Sequence, residues 1–294
     1  MKTKHFAFGI LYILTTWIIR AQQDTNYSFY NYNMNLVNPA YAGVDQQTKL
    51  GLNLRSQWAS VQGAPETQSL FFGMPVGNNL GVGVSLINDK TFVEDQLNIN
   101  ADFSYKLQLG AAHEIYFGLK AGIHSYDVNT DGLQVYDVVP DPSLTDLSGR
   151  LTPNVGVGAL LKHDDYFVSF SVPKLLKPDR VEFQDGQARM GIDRIHMYLS
   201  AGYEFYLSPA LTLRPTTMVR HVENAPLSVD LTPVLQINEK FDLGLSYRWD
   251  ESMAFLFVFK TDWLQAGYAY ESAFESPVRN AENGTHELLF NITF

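Results

Sequence analysis

The chain has 294 residues, a formal net charge of −10 at pH 7 and no cysteine. The acidic charge argues against nucleic acid as a partner, and the lack of cysteine excludes a disulfide scaffold and a lipoprotein anchor. Its 16 tyrosines and 19 phenylalanines fit a membrane β-barrel with aromatic girdles at two interfaces, and they also fit a large soluble β-sandwich.

The first residues carry the pattern of a secretory signal peptide. Lys2 and Lys4 precede an apolar run over residues 6–19, and Ala21 precedes the predicted cleavage site. After this run no apolar stretch approaches the roughly 20 residues that a membrane helix needs. A mature chain that spans a membrane must therefore do so as a barrel, because lipid offers no partner to unpaired backbone groups. We predict a signal peptide over residues 1–21, an N-terminal segment over 22–48 and an outer-membrane barrel over 49–294.

The N-terminal segment does not have the pattern of a membrane strand. Residues 27–43 are rich in tyrosine and asparagine, and asparagine and proline favour local turns over regular structure. Tyrosine rings prefer one apolar and one polar neighbourhood. We expect this segment to fold into the lumen and plug it, or to lie at the periplasmic mouth. The alternative is a free periplasmic arm.

Alternation of apolar and polar residues recurs from about residue 49 to the end, and it is clearest over residues 97–109. This period of two predicts an antiparallel transmembrane β-barrel of about fourteen strands. The predicted strands cover residues 49–58, 66–75, 80–87, 96–109, 114–126, 153–162, 166–172, 194–207, 211–222, 227–237, 241–249, 253–260, 263–270 and 286–294. Pro215 and Pro233 fall inside two of them, where we expect bulges. Glycine-rich patches at residues 81–83 and 156–158 indicate a crowded lumen.

The lengths of the connections alternate. The even-numbered ones are short, whereas the long ones, at residues 59–65, 88–95, 127–152, 173–193 and 271–285, are all odd-numbered. Two odd connections, at 223–226 and 250–252, are short. Short periplasmic turns and long extracellular loops are typical of bacterial outer-membrane barrels, in which both ends of the barrel sequence face the periplasm.

The last strand alternates until the final residue, and only Leu289 breaks its pattern. Phe290, Ile292 and Phe294 are predicted to face lipid. A C-terminal strand that ends on an aromatic residue is typical of outer-membrane barrels and acts as their assembly signal.

Two motifs make the chain resemble a known family. Residues 32–43, Tyr-Asn-Met-Asn-Leu-Val-Asn-Pro-Ala-Tyr-Ala-Gly, resemble the N-terminal signature of the PorP/SprF family, and residues 55–58 with 63–67 resemble its next motif. The resemblance implies an outer-membrane protein of the type IX secretion system and gliding machinery of Bacteroidota. The residues we predict to bind a partner or form the plug are Asn38, Pro39, Ala40, Tyr41, Gly43, Arg55, Gln57, Trp58, Gly63 and Pro65.

The resemblance leaves two roles open. The chain is either a companion that helps to export or anchor one secreted adhesin-type surface protein, or a core component that links the apparatus to the outer membrane. Periplasmic secretion or motor components are possible further partners, beside membrane lipid. A passive pore is the alternative from another class, and it would need an open lumen.

The sequence gives little support for a metal-binding or catalytic site. Asp127, Asn129 and Asp131 read like the opening of a calcium loop, but the closing position is Val138 instead of glutamate. A solvated acidic loop is the favoured interpretation. No G-x-S-x-G nucleophile elbow is present. We therefore expect no enzyme activity, no cofactor and no small-molecule substrate.

Overall fold

The computed structural model describes residues 25–129, 147–176, 179–184, 187–192, 194–223, 225–274 and 283–294. The predicted signal peptide, its cleavage site and Asp131 of the calcium candidate lie outside these residues. No helix among the described residues is long and apolar enough to cross a membrane.

The described residues form seventeen β-strands, preceded by four short 3₁₀ turns. The turns are Tyr30–Tyr32, Met34–Leu36, Pro39–Tyr41 and Val44–Gln46. The strands are β1 (Lys49–Ser56), β2 (Glu66–Val76), β3 (Leu80–Thr91), β4 (Glu94–Leu109), β5 (His113–Val128), β6 (Leu147–Lys162), β7 (Tyr166–Val172), β8 (Asp179–Gln184), β9 (Gln187–Ile192), β10 (His196–Tyr203), β11 (Phe205–Ser208), β12 (Leu211–Val222), β13 (Ser228–Ile237), β14 (Phe241–Arg248), β15 (Ser252–Lys260), β16 (Leu264–Ala273) and β17 (Thr285–Thr293).

Antiparallel pairing closes these strands into a barrel. Neighbouring strands pair in chain order, and β1 pairs with β17 from Lys49↔Thr293 to Ser56↔His286. Strands β10 and β11 continue one another along β12, and β8 and β9 form a separate hairpin in the connection between β7 and β10. The described residues therefore confirm the predicted fourteen-stranded barrel. Closure leaves no free sheet edge in lipid.

The two faces of the barrel follow from the period of two. In β15 the outward residues Met253, Phe255, Phe257 and Phe259 are exposed, and the residues between them are buried. In water such an exposed apolar surface would be unfavourable, whereas in a bilayer it faces hydrocarbon. Exposed rings cluster at both rims, with Tyr203 and Phe205 packed together at one end of the barrel and the rings of Trp249, Tyr247 and Phe274 grouped at the other.

The short connections lie together at one end of the barrel, and one connection that was predicted to be long is short. Six turns at the end near Lys49 and Thr293 contain three residues or fewer, which confirms that the short turns lie together at one end of the barrel, the end predicted to be periplasmic. The connection predicted at residues 88–95 is not long, because β3 and β4 stay paired out to Thr91↔Glu94 and leave only Phe92 and Val93 in the turn. The hairpin extends past the lipid, where its outward face has water beside it and the apolar alternation ends.

The predicted bulges at the two prolines are wrong. Pro215 of β12 and Pro233 of β13 lie directly opposite each other in a continuous register. The irregularities fall on the other neighbour of each strand. The strand that pairs with β12 is interrupted at Glu204, between β10 and β11 and beside Pro215. The β13–β14 pairing is interrupted at Thr232 and Pro233. Each proline lacks an N–H donor only on the side of this other neighbour, which is β10 and β11 for Pro215 and β14 for Pro233. The hydrogen-bond ladder between β12 and β13 therefore stays intact.

Candidate functional site

The lumen carries apolar side chains where a water-filled pore would carry polar ones. Buried Leu256 and Val258 of β15 lie on the inner face, so this strand is apolar on both sides. Leu289, the residue that breaks the alternation of the last strand, joins them and is completely buried. The ring of Phe29, from the segment before β1, fills the space between them. The irregular Leu289 is therefore explained by a contact inside the barrel.

The N-terminal segment, here residues 25–48, runs along the lumen. Its Thr25 Oγ1 donates to Asp89 near the outer end of β3 at 3.0 Å. Farther along, the Tyr32 hydroxyl donates to Asp242, at the periplasmic end of β14, at 2.7 Å. The segment then joins β1 at its periplasmic end. The first described residue therefore lies toward the cell surface, although the barrel itself starts at the periplasmic side.

A cluster of buried charges holds the outer part of this segment. Glu287 accepts hydrogen bonds from the backbone N–H groups of Ser28 and Phe29, at 2.7 and 3.2 Å. Arg55 donates to Glu287 and to Glu271, at 3.0 Å each. The charged cluster comprises Arg55, Arg220, Asp230, Arg248, Glu271 and Glu287. Since each carboxylate has a cationic partner, the cluster satisfies the charges that burial would otherwise penalise.

The signature motif forms a compact turn, residues 38–43. The Asn38 side chain accepts from the Ala40 N–H at 2.9 Å and caps the 3₁₀ turn that Pro39 begins. Gly43 has φ +67°, a left-handed conformation that glycine adopts without steric penalty. A side chain there would also meet the backbone of Gly81 and Met74. The motif therefore encodes both the shape of the turn and its close approach to the wall.

The wall beneath this turn is a row of small residues that face one another across five strands. The small-residue row is Gly81, Ser104, Gly118, Gly158 and Ser171. The Ser104 hydroxyl donates to the Ala40 carbonyl at 3.0 Å, and the Ser171 hydroxyl donates to the Val37 carbonyl at 2.9 Å. Both serines are buried. The two hydroxyls satisfy carbonyl groups that the tight turn leaves unpaired.

Tyr41 faces a different environment from the rest of the turn. It is half-buried and lines a cavity of about 390 Å³ that lies beside the periplasmic turn at residues 163–165. Tyr32, Phe167 and Arg214 also line the cavity. A volume of this size is typical of sites that take a small ligand or a few residues of a peptide.

The second motif divides between the lumen and the outer end. Arg55 lies in the charged cluster, whereas outer loop 57–65 begins after it and closes with a hydrogen bond from the Gln57 N–H to the Pro65 carbonyl, 2.9 Å. The Phe92 N–H donates to the Gly63 carbonyl at 2.9 Å, so this loop rests on the β3–β4 hairpin. The residues predicted as one site therefore occupy three places: turn 38–43, the charged cluster and the outer loop.

The outer loop has unusual backbone conformations and an exposed ring. Trp58 has φ +51°, Ser60 +81°, Gly63 +76° and Phe92 +55°. Left-handed conformations in residues with a side chain cost of order 1–3 kcal/mol each and cluster at functional sites. Phe92 is 72% exposed at the hairpin tip. Trp58 and Phe92 line a further cavity of about 300 Å³.

The remaining predicted residues do not form a chemical site. Phe290 and Phe294 are 40% and 75% exposed on the outer face, and Ile292 is half-buried. Asp127 accepts from the Ser125 hydroxyl at 3.1 Å and the Asn129 N–H donates to the Val93 carbonyl at 2.9 Å. Within the part of the chain that the structure describes, no three histidine or acidic side chains are grouped to hold a metal ion.

Sequence reasoning missed the inner contacts. Phe29, Glu287 and the serines of the small-residue row were not singled out. One signal could have revealed Phe29, because a strand that is apolar on both faces, such as β15, needs an apolar neighbour inside the barrel.

The fold and the apolar outer face define an outer-membrane β-barrel. Residues 19–292 match the family described as type IX secretion system membrane protein PorP/SprF. The chain belongs to this family and is located in the outer membrane.

The structure is similar to several solved barrels at low sequence identity. The monoaromatic hydrocarbon channel CymD is 12% identical, with 88% of this chain and 90% of that chain covered and a TM-score of 0.52. A variant of the monoaromatic hydrocarbon channel TodX is 10% identical, with 88% and 92% covered and a TM-score of 0.50. The toluene transporter TbuX of Ralstonia pickettii is 11% identical, with 87% and 90% covered and a TM-score of 0.48. No curated protein matches significantly.

Proposed function

We propose that this barrel binds a type IX-secreted surface protein of the adhesin type at its outer end and helps to export or anchor it, as a companion in the manner of SprF. The observation that carries the proposal is the outer loop 57–65 with the Phe92 hairpin. There a family motif, left-handed residues and an exposed aromatic ring come together. Buried or half-exposed aromatic anchors dominate many protein interfaces.

The occupied lumen supports a binding role over a passive pore. Phe29, Ala40 and Asn38 are almost completely buried inside the barrel, and their contacts involve opposite walls. A recognition protein needs a rigid scaffold for its loops, which this inner packing provides.

The test replaces Trp58 and Phe92 with alanine in the native host. We expect normal barrel levels in the outer membrane, loss of the surface protein from cells and loss of its co-purification. Matched controls are Trp249→Ala and Phe274→Ala, which remove exposed rings at the same rim but outside the outer loop. Normal surface display in both outer-loop variants would contradict the proposal, as would equal losses in the controls.

A core role in the apparatus is the second candidate, and the periplasmic cavity beside Tyr41 favours it. A component that links secretion or motor proteins to the membrane needs a recognition surface on the periplasmic side, and Tyr41 with Phe167 offers one. Deletion of the gene separates the two roles. Loss of one surface protein supports the companion role, whereas loss of all type IX cargo supports the core role. Under the core role, Tyr41→Ala should reduce secretion although the barrel still assembles.

A further inference from the structure

The wall of the barrel is asymmetric inside. Strands β1, β12, β13, β14, β16 and β17 fill their share of the lumen with the long side chains of the charged cluster. Strands β3–β7 carry the small-residue row, beside the buried Asp102–Lys120 pair of β4 and β5. Glycine and serine leave a shallow channel in that wall, and turn 38–43 lies in it. The shape of one wall thus complements a segment of the same chain.

The fit between the turn and the row is tight. A Cβ added at Gly118 would overlap the backbone of Pro39 and Ala40, and one at Gly158 would overlap the side chain of Asn38. A Cβ at Gly81 would overlap the carbonyl group of Ala42. Since native Cβ atoms do not approach so closely, any side chain at these three glycines displaces the turn or the wall.

Specific polar contacts accompany this steric fit. The Asn38 amide donates to the Ala159 carbonyl at 3.2 Å while its oxygen caps the turn. Together with the two serine hydroxyls, three donors of the turn and wall are matched to carbonyl acceptors. A buried polar group that loses such a partner destabilises the fold, because it has also lost its hydrogen bonds to water. The contact is therefore selective for this turn and is more than space filling.

We propose that the small-residue row is an internal receptor for turn 38–43, and that this contact keeps the barrel closed to solutes. A fourteen-stranded barrel is wide enough for an aqueous channel. Without the turn, nothing larger than serine would project from the row. The signature of the family then holds the lumen closed. This role does not depend on the outer-surface partner and can be tested without it.

The first experiment pairs identical substitutions at two inner glycines. Gly118→Ala should displace the turn, whereas Gly73→Ala places its Cβ at 3.8 Å from the nearest atoms, an ordinary contact. Purified full-length proteins are compared in planar lipid bilayers, and assembly is verified by heat-modifiable migration. We expect ion conductance for Gly118→Ala and closed barrels for the native protein and Gly73→Ala.

A hydrogen-bond variant covers the case in which Gly118→Ala does not assemble. Ser104→Ala with Ser171→Ala removes one donor to the turn and one donor to Val37, the residue just before it, and adds no volume. We expect intermittent conductance, because the turn is loosened but its space is retained. An assembled Gly118→Ala barrel that stays closed, an assembled double-serine variant that stays closed, or a native barrel that conducts would overturn the proposal.

The second experiment fixes the turn in place. A Cβ at Gly83 lies 3.5 Å from the Ala42 Cβ, within the range of a disulfide bond, and the native chain has no cysteine. Ala42→Cys with Gly83→Cys should cross-link during assembly, and the oxidised barrel should remain closed. Failure to cross-link in an assembled barrel would show that the turn does not rest on the row in the membrane.

Discussion

The two family motifs lie close in sequence but differ in environment. Turn 38–43 is buried in the lumen, has its polar groups paired and rests on the barrel wall. Outer loop 57–65 lies at the surface, has left-handed residues and supports an exposed Phe92. Arg55, at the edge of the second motif, belongs with the buried group. The difference indicates that one motif stabilises the scaffold and the other presents a surface.

The largest expected effect tests whether Arg55 belongs to the scaffold. Arg55→Ala takes the cationic partner from the buried Glu287, whereas Glu271 keeps Arg248, and it should lower the free energy of unfolding by about 3–5 kcal/mol. The matched control is Lys90→Ala, which breaks the exposed Lys90–Asp95 pair and should cost at most about 1 kcal/mol. Urea unfolding in micelles, followed by tryptophan fluorescence, measures both. Equal losses of stability in the two variants would contradict the assignment of Arg55 to the buried scaffold.

The outward face of the last strand allows the cost of a charge in lipid to be compared at different depths. Phe290 lies near the middle of β17 and Phe294 follows its end. Phe290→Arg should cost about 2–4 kcal/mol near the bilayer midplane, and Phe294→Arg about 0–1 kcal/mol near the interface. Ile292→Arg should fall between them. Outer-membrane levels and unfolding in lipid vesicles report the order, and a reversed order would contradict the predicted depth of this strand.

The capping residue of the buried turn should have a moderate effect. Asn38→Ala removes the cap of Ala40 and the hydrogen bond to the Ala159 carbonyl, and it should lower the free energy of unfolding by about 1–3 kcal/mol. Asn35→Ala, in the same segment, is the control because Asn35 lines the cavity and caps no turn. Urea unfolding measures the difference. A loss at Asn35 as large as that at Asn38 would place the stabilising contact outside the signature.

The smallest effect on stability is expected at the tip of the β3–β4 hairpin, beside the outer loop. Phe92→Gly relieves a left-handed conformation worth about 1 kcal/mol, and the added freedom of the unfolded chain offsets about 0.5–1 kcal/mol of this gain. The free energy of unfolding should therefore barely change, while binding of the surface partner is lost. Co-purification and urea unfolding are measured on the same protein. A large stability loss would show that Phe92 supports the fold instead of a partner.

Much of the barrel could be predicted because lipid imposes a strict rule on each strand. Within the hydrocarbon band the outward residues must be mainly apolar and every backbone group paired, so the period of two is visible in the sequence. The errors concern features that this rule does not determine. The β3–β4 hairpin continues beyond the membrane, and the two prolines lie opposite each other without a bulge. Neither outcome depends on lipid.

The sequence by itself determined the class of protein, the strand number, the sorting of short turns to one end and the membership of the family. Those features follow from local alternation and from motifs that are contiguous in the chain. Only the tertiary structure decided which residues meet in the lumen. Phe29 contacts Leu289, Ser28 contacts Glu287, and Ala40 contacts Ser104. Such pairs are far apart in sequence, and they are set by the closure and stagger of the barrel, which no local pattern encodes.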